Sequence, residues 1–200
     1  MNVQLNYVNA SLGTDIDVVV FQQGFTSNPN DPVFPWIVIK HCGRNCYHPF
    51  EYGPATYLSI GDEYGNYSSL KEVMPGQTWA VEATHNGRRL NMIGDQRHSR
   101  ELQVQNDRPS GAINVCLFRN KRIVARKTAV APRQMAVFDM SVQTIWFAAA
   151  SDVKMDQPLP KFIVSEAREF ALPGIASADI VMGGGGAEPY CFTLENVMPV

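Results

Sequence analysis

LNYVNASLGTDIDVVVF, residues 5–21, lies without a gap on LQVQNDRPSGAINVCLF, residues 102–118. The offset of 97 matches Leu5 to Leu102, Asn9 to Asn106, Ile16 to Ile113, Val18 to Val115 and Phe21 to Phe118. Strands everywhere favour Val, Ile and Phe, so the apolar matches alone say little. The matched Asn is different, because strands do not favour it. Self-similarity of this length argues for a duplicated architecture before any single side chain is read. A second match, at an offset of 57, lays residues 73–95 on residues 130–152 through Val73/Val130, Pro75/Pro132, Gln77/Gln134 and Asp95/Asp152. The unequal offsets predict extra chain in the first copy, an insertion spanning residues 24–67.

The rest of the chain reads as short strands. Candidates are 15–21, 36–39, 55–60, 78–83 and 89–93 in the first half. The second half offers 112–118, 122–128, 135–140, 144–150, 178–182 and 191–196. Runs of this length, bounded by Gly, Pro and Asn, indicate a sandwich or a barrel. Asn86-Gly87 suits a tight hairpin turn, and Arg119-Asn120-Lys121 a second one. Ser165–Leu172 is the best helix candidate, capped by Ser165 and stopped by Pro173-Gly174. The polar segment 95–101 reads as the joint between copies. The expectation is an all-β protein of two duplicated antiparallel β-sandwich lobes, Ig-like or jelly-roll-like, packed together, with at most one short helix. Lobe 1 would span 1–97, with its insertion at 24–67, and lobe 2 would span 98–200. One merged sandwich is the alternative arrangement.

Composition narrows the function classes. The chain has 200 residues, 45% of them hydrophobic, enough for a core without staples. Seventeen basic residues oppose nineteen acidic ones, so no positive field favours nucleic acid. The basic run 119–127, RNKRIVARK, reads as a hairpin tip and a solvated strand face. No apolar run approaches the roughly 20 residues of a transmembrane helix. With no signal-peptide pattern at the N-terminus, the default expectation is a soluble, cytoplasmic protein, with secretion by an unrecognised route left open. Cys116 and Cys191, in or beside strand patterns, read as small core residues.

Two segments carry candidate chemistry. HCGRNCYH, residues 41–48, places His41, Cys42, Cys46 and His48 close together in sequence. Thiolate and imidazole are the preferred ligands of zinc, the cofactor such a set would hold. Adjacent His41 and Cys42 would point to opposite faces of a strand, which counts against that reading. DEYGNYSS, residues 62–69, sets carboxylate, amide and aromatic groups around a glycine. Asp62 and Asn66 could hydrogen-bond sugar hydroxyls, while Tyr64 or Tyr67 stacks on an apolar sugar face. No G-x-S-x-G elbow or H-E-x-x-H helix is present. The leading expectation is a non-enzymatic binding protein, lectin-like in character, taking a carbohydrate or protein ligand through these loops. A metal-dependent enzyme built on His41–His48 is one alternative. A structural β protein that self-assembles into homo-oligomers through strand edges is the other.

Overall fold

Strict alternation makes the first strand. In β1 (Val3–Asn9), Val3, Leu5, Tyr7 and Asn9 are buried while the residues between them are not. A pleated strand sends alternate side chains to opposite faces, so this pattern buries exactly one. The matched strand β9 (Glu101–Asn106) repeats it with Leu102, Val104 and Asn106. Next come β2 (Asp17–Phe21) and β10 (Ile113–Arg119), nearly apolar throughout and buried on both faces.

The computed structural model describes residues 2–13, 16–62, 64–85, 87–96, 98–155 and 157–200. Between β2 and β9 run β3 (Pro35–Ile39), β4 (Tyr47–Tyr52), β5 (Thr56–Gly61), β6 (Lys71–Val73), β7 (Gln77–Thr84) and β8 (Gly87–Asp95). After β10 come β11 (Arg122–Val130), β12 (Met135–Asp139), β13 (Thr144–Ala150), helix α1 (Lys161–Glu166), β14 (Arg168–Ala171), β15 (Ile175–Gly183) and β16 (Cys191–Pro199). The protein is all-β, and its strands form four four-stranded sheets. Their orders are β16-β15-β1-β4, β14-β13-β2-β3, β11-β10-β5-β6 and β12-β9-β7-β8.

Advancing every strand number of the first half by eight, and returning the second half by eight, reproduces the same four sheets. Pair orientation is preserved as well. All neighbours are antiparallel except β1 with β15 and its counterpart β9 with β7. The duplication is therefore real and spans β1–β8 against β9–β16. It does not divide the chain into contiguous lobes 1–97 and 98–200. One compact unit comprises Met1–Gln22, Val33–Pro54 and Gln143–Val200, and the other Gln23–Pro32 and Ala55–Val142. Each unit joins the first four strands of one copy to the last four of the other. The connectors are short: only Gly53, Pro54 and Ala55 separate β4 from β5. A short, proline-stiffened hinge favours running on into the other unit over folding back.

Three sequence expectations change accordingly. Residues 24–67 are not an insertion, because they contain β3, β4 and β5, whose counterparts are β11, β12 and β13. The match at offset 57 is a coincidence of composition. It lays β7 and β8, neighbours in one sheet, on β12 and β13, which belong to different sheets. The true counterpart of Pro75-Gly76 is Pro173-Gly174. Gly76 and Gly174 have φ of 88° and 80° and close equivalent turns, Gln77 N–H donating to Met74 C=O and Ile175 N–H to Leu172 C=O. Finally, the helix expected at 165–172 is displaced to Lys161–Glu166. Arg168–Ala171 is an edge strand instead, with Phe170 buried and paired to Ile145. The backbone bonds offered by β13 and the burial of Phe170 outweigh a helical propensity that is weak over so few residues. Asp15, Asn86 and Arg97, used in the strand, turn and joint expectations, lie outside the described residues.

Within the first unit, aromatic rings meet between the two sheets. Phe147 of β13 lies with ring centroids 6.3 Å from Phe50, 5.9 Å from Phe170 and 5.7 Å from Phe192. The outer face of β2 and β13 is covered by a second cluster, in which Ile163 of α1 packs on Val19, Phe21, Ala148 and Ala150. In the second unit the core includes Leu58, Ile60, Val81, Leu102, Leu117 and Phe138, all buried. No helix among the described residues is long and apolar enough to cross a membrane.

Candidate functional site

The cysteine and histidine segment contains a turn whose backbone is held by Asn9. Asn9, at the buried end of β1, donates its N–H to Cys46 C=O (3.0 Å) and its Nδ2 to Cys42 C=O (2.7 Å). Its own carbonyl accepts from Asn45 N–H at 2.7 Å. Asn106, the matched residue, does the same: its N–H bonds Gln134 C=O (2.9 Å), its Nδ2 bonds Val130 C=O (2.9 Å), and its carbonyl accepts Arg133 N–H (2.7 Å). The backbone agrees, with φ of 52° at His41 and 55° at Ala129, and 63° at Asn45 and 65° at Arg133. The turn holding Cys42 and Cys46 therefore recurs at 129–134 without a cysteine or histidine. Buried backbone groups demand partners, and one asparagine supplies them in each unit.

Among the described residues, no three His, Cys, Asp or Glu side chains converge as a metal ion requires. Cys46 is exposed, and His41 and His48 are exposed as well. Burial pushes the Cys42 thiol above its usual range, and nearby Cys46 adds to the shift. A raised thiol is a poorer metal ligand near neutral pH. Cys191, expected in the core, is exposed at the start of an edge strand, whereas Cys116 is buried as expected.

The 62–69 segment is more telling. After β5 the chain makes a tight loop and returns at Tyr67, which bridges Gly61. Asp62 Oδ1 accepts N–H from both Tyr64 and Asn66 at 2.9 Å, and Oδ2 accepts Asn66 Nδ2 at 3.0 Å. The Asn66 side chain, foremost, holds the carboxyl below the usual carboxylate range, helped by the two backbone donors. Arg88 Nη2 stands 4.0 Å away and contributes least. The Asp62 carboxylate thus faces its own loop and is the clamp that shapes it. Such an aspartate turn is a local alternative to regular backbone pairing.

That clamp leaves the aromatics in distinct roles. Tyr64 is 80% exposed at the tip. Tyr67 is half covered, edge-on to Phe118 with ring centroids 5.6 Å apart, and its hydroxyl accepts from Arg126 Nη2 at 2.7 Å. Beneath them is a cavity of about 150 Å³ lined by Asp62, Gly65, Tyr67, Asn114, Cys116 and Arg126. Asn114 is tied in place, donating to Asp62 C=O at 3.3 Å and accepting Ala129 N–H at 3.1 Å. Burial raises the Cys116 thiol, with Arg126 opposing the shift. The structure brings Asp62, Asn66 and Tyr67 together and leaves Tyr64 projecting. Sequence reading missed Arg126, Asn114 and Cys116, which arrive from β10 and β11. The only signal for them was Asn114, which the repeat sets against Asp17.

The chain matches no protein-family model, and neither a curated protein nor a solved structure matches it.

Proposed function

We propose that this is a non-enzymatic binding protein whose 62–67 loop takes a carbohydrate or a comparable polyhydroxylated ligand. The observation that carries the reading is Tyr64, a large ring 80% exposed on a turn that Asp62 fastens from within. A tyrosine side chain, with only two χ angles, loses little conformational entropy on binding and offers both an apolar face and a hydroxyl. The polar cavity under Tyr67 and Arg126 stands beside it, ready to accept hydroxyl groups. Asn66 keeps its amide oxygen for a ligand donor, because only its nitrogen is engaged by Asp62. Asp62 itself serves the ligand indirectly, by holding Tyr64 and Asn66.

A glycan array followed by saccharide titration tests the proposal. Binding is expected, and Tyr64→Ala should weaken it about tenfold, as loss of one stacking ring does. Circular dichroism should stay unchanged in that variant, since Tyr64 is largely exposed. A clean negative across broad glycan classes would remove the reading.

A further inference from the structure

The first unit holds a larger site. A groove of about 670 Å³ lies between the end of β13 and the start of β16, lined among others by Ala148, Ala149, Glu166, Arg168, Tyr190 and Cys191. That volume is in the range that accepts a drug-sized ligand. Its origin is in the sheet. β14 pairs β13 only from Thr144 to Phe147, and among the described residues no strand pairs that edge of β13 beyond Phe147. Among the described residues, no backbone hydrogen bond from segment 161–167 closes that edge. Helix α1 has gone instead to the outer face, where Ile163 packs on Val19 and Phe21.

The second unit shows what fits such an edge. Val18 and Val115 are matched by the repeat; Val18 pairs with Ala149 and Val115 with Ile60, so Ala149 stands where Ile60 does. At Ile60 the edge is filled by the chain itself. Ser68 N–H donates to Ile60 C=O at 2.9 Å, and Ile60 N–H donates to Ser68 Oγ at 3.0 Å. Ser59 Oγ adds a bond to Ser68 C=O at 2.8 Å. By the same register, the N–H and C=O of Ala149 turn to the open groove.

We propose that this groove binds a short extended peptide segment of another polypeptide, added as a strand beside Ala148–Ala150 in the manner of Tyr67–Ser69 beside β5. Backbone pairing supplies the attraction, as in other strand-addition sites. The alanines leave space for a small side chain, and Glu166 and Arg168 offer one charge of each sign at the rim. Such a rim suits the mixed polarity of a peptide more than a uniformly charged ligand.

The probe is the chain's own segment as a capped tetrapeptide, acetyl-Tyr-Ser-Ser-Leu-amide, titrated into the isotope-labelled full chain and followed by amide NMR. Shifts are expected at Ala148, Ala149, Arg168 and Cys191. Cys191→Trp, a change at an exposed position that fills the groove, should weaken binding by about tenfold or more with circular dichroism unaltered. A peptide N-methylated at its first serine should weaken similarly, because it keeps the side chains and loses the pairing donor. The proposal is overturned if millimolar peptide leaves those amides unmoved, or if the N-methylated peptide or the Cys191→Trp protein binds as tightly.

Discussion

Replacing Asn106 by Ala should expose how much the fold depends on one buried amide per unit. Asn106 is 0% exposed and serves three neighbours through its side chain. Nδ2 donates to Val130 C=O at 2.9 Å and Gly111 C=O at 3.1 Å, and Oδ1 accepts Arg108 N–H at 3.3 Å. The Val130 carbonyl is buried, so stranding it costs about 2 kcal/mol. Gly111 and Arg108 lie nearer to water and lose only the net value of a bond, about 0.5 kcal/mol each. The expected loss is therefore about 3 kcal/mol, a large share of a small unit's stability. Asn9→Ala should cost a similar amount. It frees Cys42 C=O and removes the acceptor of Ser11 N–H and Ser11 Oγ, at 2.9 and 2.7 Å. Urea denaturation followed by circular dichroism reads both, with separate fits should the two units melt apart. Asn66→Ala, at an exposed amide, is the control and should cost roughly 0.5 kcal/mol. A loss below about 1 kcal/mol at Asn9 or Asn106 would refute the view that each amide pins a turn to the end of its strand.

Two further outcomes follow from local geometry. Gly76→Ala and Gly174→Ala both place a Cβ at positive φ, which costs about 1 kcal/mol. At Gly76 that Cβ also runs into Gln96 C=O, while at Gly174 nothing lies near it. The Gly76 variant should lose clearly more stability in the same denaturation series, and equal losses would contradict the packing. Acid should open the 62–67 loop. The Asp62 carboxyl sits below its usual range in the folded chain, so its contribution is complete above the unfolded carboxylate pKa of about 3.9 and disappears as pH falls through the lower folded value. The Tyr64 and Asn66 amide signals should move together in that acid range, and Asp62→Asn should abolish the step.

Much of the fold was legible because local pattern reports local structure. Most strands announced themselves by alternation or by short apolar runs between turn residues. Five were not read as strands: β1 and β9, where polar residues alternate with apolar ones and an Asn closes the run, β4 with its His48-Pro49, β6 with three residues, and β14, which lay inside the expected helix. The site was legible only in part. Tyr64 and Tyr67 could be singled out from their loop, but nothing local said that Asp62 would turn inward on Asn66. Nor did spacing reveal that the cysteine-rich turn at 41–46 copies a cysteine-free one at 129–134, since the two share backbone conformation and not residue type.

By itself, then, the sequence determined the all-β class, most of the strands and the presence of two copies. These follow from period-two patterning, which the side chains impose on their own neighbourhood. Only the tertiary structure decided partnership: that β1 lies parallel to β15, that each unit combines halves of both copies, and that Tyr67 meets Arg126. Alternation states which face a strand must bury but is silent about which strand will lie beside it. That choice is made by hinge length and by the packing of residues far apart in the chain.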